Sequence, residues 1–91
     1  MQTIILDIVK TYTDENETDQ HIEYILINRN TSIGNVFDIS CTRLNDVQTN
    51  TEIYDGVTQS REIAIDIFNM LVNNLVAPEH LIDIIDDLSD E

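Results

Sequence analysis

The chain has 91 residues, 42% hydrophobic side chains and a formal net charge of −14, from 18 acidic and four basic residues. This length predicts one domain, since a typical domain takes about 100–200 residues. Two glycines and one proline are too few for a disordered or fibrous chain. The excess of carboxylates repels nucleic acid and anionic membranes and favours a basic partner. Ordinary solubility is the alternative explanation of the charge.

The cysteine content and the N-terminal residues indicate where the protein works. Cys41 is the only cysteine, which excludes an internal disulfide and a cysteine-based metal cluster. A lone cysteine favours a reducing compartment. Residues 1–7 have no basic start, and Asp7 interrupts their apolar run, so they do not resemble a signal peptide. No apolar stretch reaches the ~18–20 residues of a membrane span, and we predict a cytoplasmic protein.

Period-two alternation of β-branched and apolar residues predicts antiparallel strands in the first half of the chain. Strands are expected at 3–12, 21–28 and 36–41, joined by polar turns at 14–19 and 30–34. The predicted apolar faces of the three strands are Ile4, Leu6, Ile8 and Tyr12; Ile22, Tyr24, Leu26 and Asn28; and Phe37, Ile39 and Cys41.

Further along the chain, the hydrophobic pattern becomes the one typical of helices. A polar loop at 45–50 and a short fourth strand at 51–57 are expected first. At Ser60 the hydrophobic period becomes about 3.6, and Ser60 is the expected N-cap of the first helix. Pro78 is well placed to open a second helix that runs to about Leu88. The predicted apolar stripe of the first helix is Ala64, Ile67, Phe68, Leu71 and Leu75, widened by Ile63 and Met70.

These elements predict a single α+β domain that covers residues 1–91. Three or four antiparallel strands within 1–58 are followed by two C-terminal helices within 59–89, which pack on one face of the sheet. A domain of this size buries only about 60–65% of its extended surface, so its stability is expected to be modest.

The second predicted helix carries an acidic stripe beside its apolar one. After Arg61 the chain has eight acidic residues and no basic residue. Like charges at i, i+4 cost about 0.2–0.5 kcal/mol per pair, and carboxylates in the last turn oppose the helix dipole. A surface selected only for solubility would include lysine. The apolar stripe is Leu81, Ile84, Ile85 and Leu88, and the acidic stripe is Asp83, Asp86, Asp87 and Asp90, with Glu79 and Glu91 added at the helix ends.

Acidic side chains at helical spacing can substitute for nucleic acid. Their Cβ atoms lie about 5–6 Å apart, a separation comparable with the one charge per ~3.4 Å along a DNA strand. A basic nucleic-acid groove could therefore accept the acidic stripe. A solvated helix face is the alternative interpretation of the same residues.

The acidic turn between the first two strands adds carboxylates. Asp14, Glu15, Glu17 and Asp19 are expected to join the acidic stripe if the fold brings the turn alongside the helix. Asp14, Asn16 and Thr18 match the first three ligand positions of an EF-hand loop, but Asp19 replaces its glycine and Ile25 replaces its bidentate glutamate. We predict a solvated hairpin tip and not a calcium site.

Nothing in the sequence indicates catalysis, a metal or a cofactor. His21 and His80 are the only histidines, and neither forms a ligand motif with the other or with Cys41. No serine has the flanking glycines of a nucleophile elbow, and no glycine-rich phosphate loop is present. Cys41 is predicted to be a small buried hydrophobic residue.

The C-terminal third carries a recognisable combination of segments. Ser60-Arg61-Glu62 precedes an apolar helix that ends at 71–77, and a Pro-x-His-Leu-x-Asp sequence follows at 78–83. This combination resembles an uncharacterised family of short acidic proteins from low-GC Gram-positive bacteria and their phages. The resemblance implies the fold and a Gram-positive or phage origin, but no mechanism. In size, acidity and the acidic helix, the chain is also similar to anti-CRISPR proteins, which often occupy the basic channels of Cas effectors.

Two functions follow as hypotheses. The first is a non-enzymatic acidic inhibitor that competes with DNA or RNA on a basic protein, most specifically an anti-CRISPR protein that blocks a Cas9-type nuclease. The second is a small bacterial regulator or adaptor that recruits a protein through an apolar patch or a sheet edge, with Tyr24, Ile27 or Tyr54 exposed. A homodimer is compatible with both.

Overall fold

Four strands and two helices make up the computed structural model, which describes residues 2–13, 15–44 and 49–89. The strands form one antiparallel sheet in the order β1-β2-β3-β4, and both helices contact this sheet. The predicted α+β fold is confirmed. The elements are β1 (Gln2–Thr13), β2 (Asp19–Thr31), β3 (Gly34–Leu44), β4 (Thr49–Thr58), α1 (Arg61–Asn73) and α2 (Pro78–Ser89).

The two central strands supply the sheet side of the core. Tyr24 of β2 pairs with Cys41 of β3, and Leu26 pairs with Ile39, with all four side chains buried under the helices. The predicted alternation on β2 and β3 is therefore confirmed. Strand β4 adds Val57. The helices and the turn between them add Ala64, Phe68, Leu71, Val72, Val76, Leu81 and Ile85.

A bulge in β1 corrects one predicted core residue. Ile4 pairs with Ile27, whereas Leu6 pairs with Leu26, so β1 contains one extra residue between them. Because neighbouring residues on a strand point to opposite faces, the bulge moves Ile4 to the face without helices. Ile4 is 60% exposed there, while Leu6 packs against the core.

The strands are longer than the hydrophobic pattern predicted. Thr49 and Asn50 were expected in a loop but belong to β4, where Asn50 pairs with Arg43. Polar residues leave no apolar periodicity, yet their backbone groups continue the ladder of hydrogen bonds. The other residues of that predicted loop, 45–48, lie outside the described ranges.

Helix α1 begins and ends with regular caps. The Ser60 hydroxyl accepts a hydrogen bond from the Ile63 amide at 3.3 Å, as the sequence predicted. At the other end, the amides of Leu75 and Val76 donate to carbonyl oxygens of the last turn, and Leu75 takes the left-handed φ of 49°. This pattern is a Schellman motif, in which glycine normally occupies the position of Leu75.

Three helix residues expected in the apolar stripes are largely exposed. Leu75 follows the end of α1 in the Schellman motif, so its side chain leaves the stripe. Ile63 in the first turn of α1 is 51% exposed, and Leu88 near the end of α2 is 45% exposed. Both lie near helix ends, where the sheet no longer covers them. No helix within the described ranges is long and apolar enough to span a membrane.

The turn between the helices is tied to the sheet through the carbonyl oxygen of Val76. The Tyr24 hydroxyl donates a hydrogen bond to this oxygen at 2.8 Å, and the Cys41 thiol lies 3.6 Å from it. Both side chains are fully buried, which confirms the inward face predicted for Tyr24 and the buried Cys41. The expectation of the adaptor hypothesis that Tyr24 is exposed is wrong. Burial raises the pKa of the Cys41 thiol to about 12, so the thiol stays protonated and can act as the second donor.

A buried ion pair fixes the opposite face of the sheet. Asp38 is 3% exposed, and both of its carboxylate oxygens accept hydrogen bonds from Arg29, at 2.9 and 3.1 Å. The Gly56 amide donates to the same carboxylate at 2.7 Å, from an irregular part of β4 where Gly56 has φ of 71°. Burial pushes the pKa of Asp38 upward, but the hydrogen bonds from Arg29 and Gly56 and the charge of Arg29 outweigh it and lower the pKa.

We predict that Tyr24→Phe lowers the free energy of unfolding by about 1–2 kcal/mol, because the buried Val76 carbonyl would keep only the weak thiol donor. Urea denaturation followed by circular dichroism measures this change. Tyr12→Phe is the matched control, since Tyr12 is a partly buried tyrosine beside the same core. Equal stability of Tyr24→Phe and the wild type would contradict the role given to this hydrogen bond.

Asp38→Asn is expected to lower the free energy of unfolding at pH 7 by about 1.5–3 kcal/mol, the range for hydrogen bonds to a charged group. The pKa of Asp38 is lower in the folded protein than in the unfolded chain, so its stabilisation is present above the unfolded pKa of about 3.9. That stabilisation is lost as the pH falls through the folded pKa. Urea titrations between pH 7 and pH 3 should show the two proteins converging, and the exposed Asp66→Asn serves as control. A difference that stays constant with pH would refute this assignment.

Candidate partner-binding surface

Helix α2 presents one apolar and one acidic side. Leu81 and Ile85 are fully buried against the core, and α2 lies mainly along β4 and next along β3. Residues three and four positions apart share a helix face, so the intervening acidic residues point away from the core. The exposed acidic residues of α2 within the described ranges are Glu79, Asp83, Asp86 and Asp87.

Strands β3 and β4 anchor this acidic side at two points along the helix. Near its start, Arg43 of β3 donates to the Glu79 carboxylate at 2.9 Å. Further along, the Tyr54 hydroxyl donates to Asp86 at 2.5 Å. This hydrogen bond, slight burial and the charge of Asp86 together raise the pKa of Tyr54.

A shallow groove of about 250 Å³ separates the start of α2 from the start of β4. Glu52 lines this groove opposite Glu79 and extends the acidic side of α2 onto the sheet edge. We call these five residues, Glu52, Glu79, Asp83, Asp86 and Asp87, the acidic ridge. The sequence did not indicate Glu52, because a glutamate in a short predicted strand has no pattern that places it beside a distant helix.

The charges of the acidic ridge are only partly compensated. Glu79 has its ion pair with Arg43, and Asp86 accepts from Tyr54. Asp83 and Asp87 lie one helical turn apart, are exposed, and have no hydrogen-bond or ion-pair partner in the part of the chain that the structure describes. Glu52 has no such partner there either, so the ridge offers three uncompensated carboxylates to a cationic partner.

The acidic hairpin tip lies elsewhere on the molecule. Asp86 contacts Tyr54 of β4. Tyr54 pairs with Ile39 of β3, and Ile39 pairs with Leu26 of β2. Asp19 lies about 23 Å from Leu26 along β2, at about 3.3 Å per residue. The structure thus keeps the tip apart from the carboxyl half of the acidic ridge, although both were expected to form one surface if the fold allowed it.

The residues of the hairpin tip have their own local structure. Glu15 and Glu17 are exposed, and Glu17 takes a left-handed φ of 60° in the turn. Asp19 opens β2 and accepts a hydrogen bond from the Thr13 hydroxyl at 3.1 Å. Of the other predicted partner-binding residues, Asp14, Asp90 and Glu91 lie outside the described ranges.

The described residues do not assemble a metal centre. Within 2–13, 15–44 and 49–89, no group of three or more His, Cys, Asp or Glu side chains is arranged to hold a metal ion. His21 shares a hydrogen bond of 3.0 Å with the Thr11 hydroxyl across β1 and β2. The groove beside α2 is open and carries two carboxylates, so the chemistry it offers is attraction of a cationic group.

The fold and surface define the class: a small α+β domain with a four-stranded antiparallel sheet, one layer of two helices and an acidic helix at its surface. The chain belongs to a family of unknown function, DUF6514, whose sequence model matches residues 3–91. No curated protein and no solved structure matches the chain. The membership is consistent with the predicted resemblance to an uncharacterised family.

We predict that Asp87→Lys raises the free energy of unfolding by about 0.5–1 kcal/mol. The change places a cation at the negative end of the α2 dipole and pairs it with Asp83 at i, i+4. Thermal denaturation at low salt measures the gain. Glu62→Lys, in the first turn of α1, is the matched control and should destabilise, because a cation there opposes the dipole. Loss of stability in Asp87→Lys would show that Asp87 has a structural role.

Proposed function

We propose that this protein is a non-enzymatic, cytoplasmic inhibitor that binds a basic protein surface through its acidic ridge and competes there with nucleic acid. The observation that carries the proposal is the pair Asp83 and Asp87, exposed and uncompensated on a helix without a basic residue. Their mutual repulsion and the helix dipole oppose this arrangement. A binding role gives a reason for carboxylates that reduce the stability of their own helix.

The geometry of the ridge supports competition with nucleic acid. Its aspartates project from one rigid helix, so their spacing is fixed before binding and little conformational entropy is lost. Glu52 on the neighbouring strand widens the charged surface beyond a single line of carboxylates. A cationic groove that accepts phosphates at comparable spacing presents complementary potential to this surface.

More specifically, we propose that the protein is an anti-CRISPR protein from a phage or mobile element of Gram-positive bacteria and that it acts on a Cas9-type nuclease. The support is the short length, the net charge of −14 and the resemblance of the segment from Ser60 onward to small proteins of that origin. The basic channel for the guide–target duplex in such nucleases is a surface of the required chemistry.

The decisive measurement is the affinity for guide-loaded Cas9 without DNA, at about 50 mM and about 200 mM salt, followed by a cleavage assay with target DNA. We expect binding that weakens with salt, because exposed charges are screened over about 8–10 Å at these ionic strengths. The triple variant Asp83→Asn, Asp86→Asn and Asp87→Asn should lose about tenfold or more in affinity, as expected for several charges across one interface.

A second triple variant controls for net charge. Glu15→Gln, Glu17→Gln and Asp19→Asn remove the same number of charges from the hairpin tip and should leave the affinity within about threefold of the wild type. Equal losses in both triple variants would show that total charge, and not the acidic ridge, drives binding. Absence of binding at either salt would overturn the anti-CRISPR form of the proposal.

A further inference from the structure

The sheet has one face that no helix covers. Ile4 and Ile53 on this face are 60% and 50% exposed, and Ile25 and Ile27 are partly buried beside them. An antiparallel sheet with a solvated face normally alternates apolar and polar residues. Here the central strand β2 has isoleucine on the outer face as well, at positions where this alternation predicts polar residues.

The strand register makes these isoleucines neighbours. Ile4 of β1 lies directly opposite Ile27 of β2. One row further along, Ile25 of β2 lies opposite Ser40 of β3, which lies opposite Ile53 of β4. The four isoleucines lie on β1, β2 and β4, and Ser40 of β3 lies between Ile25 and Ile53. We call the four isoleucines the isoleucine band.

Carboxylates border the isoleucine band. Asp7 pairs with Ile25 at the edge of the band, and Glu23 lies diagonally beside Asp7. The hydrogen bond between their carboxyl groups, partial burial and the charge of Asp7 raise the pKa of Glu23, as expected where two carboxyl groups lie side by side. A cation from a partner would relieve the repulsion.

No lysine or arginine of the described residues is left unpaired on this face. Arg29 lies on it, but the guanidinium is engaged by Asp38 and is also influenced by Asp55. Of the three remaining basic residues, Lys10 pairs with the inward-facing Ile22, Arg43 binds Glu79 on the helix side, and Arg61 opens α1. The open face therefore combines the isoleucine band with the carboxylates beside it, while its arginine is already engaged by Asp38.

The isoleucine band and the carboxylates beside it favour one kind of binding partner over others. A second copy of the chain would bring another 14 negative charges against the same carboxylates, and anionic membranes are repelled for the same reason. An α-helix, about 10 Å across, spans two to three strands at about 4.8 Å each, so a helix that lies across the strands reaches the isoleucine band from β1 to β4 along its length. Lysine or arginine on the flanks of such a helix would meet these carboxylates.

We propose that the open sheet face is a docking site for a cationic amphipathic helix of a partner protein, whose apolar side covers the isoleucine band and whose basic residues pair with Asp7 and Glu23. The docked helix would add the third layer of an α/β/α sandwich. The site is separate from the acidic ridge and does not depend on it.

The test uses two synthetic 18-residue amphipathic peptides, one of leucine and lysine and one of leucine and glutamate. We expect the leucine–lysine peptide to bind the full-length protein and to shift the NMR methyl signals of Ile4, Ile25 and Ile53. The double variant Ile4→Ser and Ile53→Ser should weaken binding about tenfold or more, from the loss of buried apolar area. Ile63→Ser with Ile82→Ser, two exposed isoleucines on the helices, is the matched control and should stay within about twofold.

Three results would overturn the proposal. Equal binding of the leucine–glutamate peptide would show that the face does not prefer a cationic helix. Loss of binding in Asp83→Asn with Asp87→Asn, but not in Ile4→Ser with Ile53→Ser, would place the peptide on the acidic ridge. Sedimentation equilibrium that shows a wild-type dimer, dissociated by Ile4→Ser with Ile53→Ser, would assign the face to a second copy. None of these results changes the outcome of the Cas9 experiment, which depends on the ridge variants.

Discussion

The carbonyl oxygen of Val76 is the point that sets the position of both helices. It belongs to the short turn between α1 and α2, and the hydroxyl of Tyr24 binds it from the centre of the sheet. A buried donor and a buried acceptor each lose hydration on folding, so each requires the other. This requirement holds the turn over the middle strands, and α2 then leaves the turn along β4. The acidic ridge at the β4 edge is a consequence of that direction.

Placing both helices on one side gives the molecule two unlike surfaces. On the helix side, the exposed half of α2 carries carboxylates that extend onto β4 through Glu52. On the other side, the sheet exposes isoleucines with carboxylates beside them. A three-layer domain would have buried the second surface. Both surfaces attract cations, but the first offers charge alone, whereas the second combines charge with apolar area.

The four basic residues show how the chain distributes its charge. Arg29 and Arg43 stabilise the fold, each by an ion pair with a carboxylate from another part of the chain, Asp38 and Glu79. The pair with Asp38 is the more deeply buried, and the Gly56 amide completes its hydrogen bonds. The 18 acidic residues outnumber the four basic ones, so the long-range field of the protein is strongly negative. That field favours rapid encounter with basic partners before any specific contact forms.

The sequence by itself determined the local features. Period-two and period-3.6 patterns located the strands and helices, Ser60 and Pro78 marked helix starts, and Cys41 was correctly placed in the core, because each signal depends on residues close along the chain. The acidic stripe of α2 followed from the same helical spacing.

Only the tertiary structure decided which distant residues meet. The bulge that turns Ile4 outward, the burial of Tyr24 against Val76, the arrival of Glu52 beside α2 and the separation of the hairpin tip from the ridge all depend on strand register and helix docking. One added residue in a strand reverses its faces, and a helix docks where buried polar groups find partners, so neither is encoded in local periodicity.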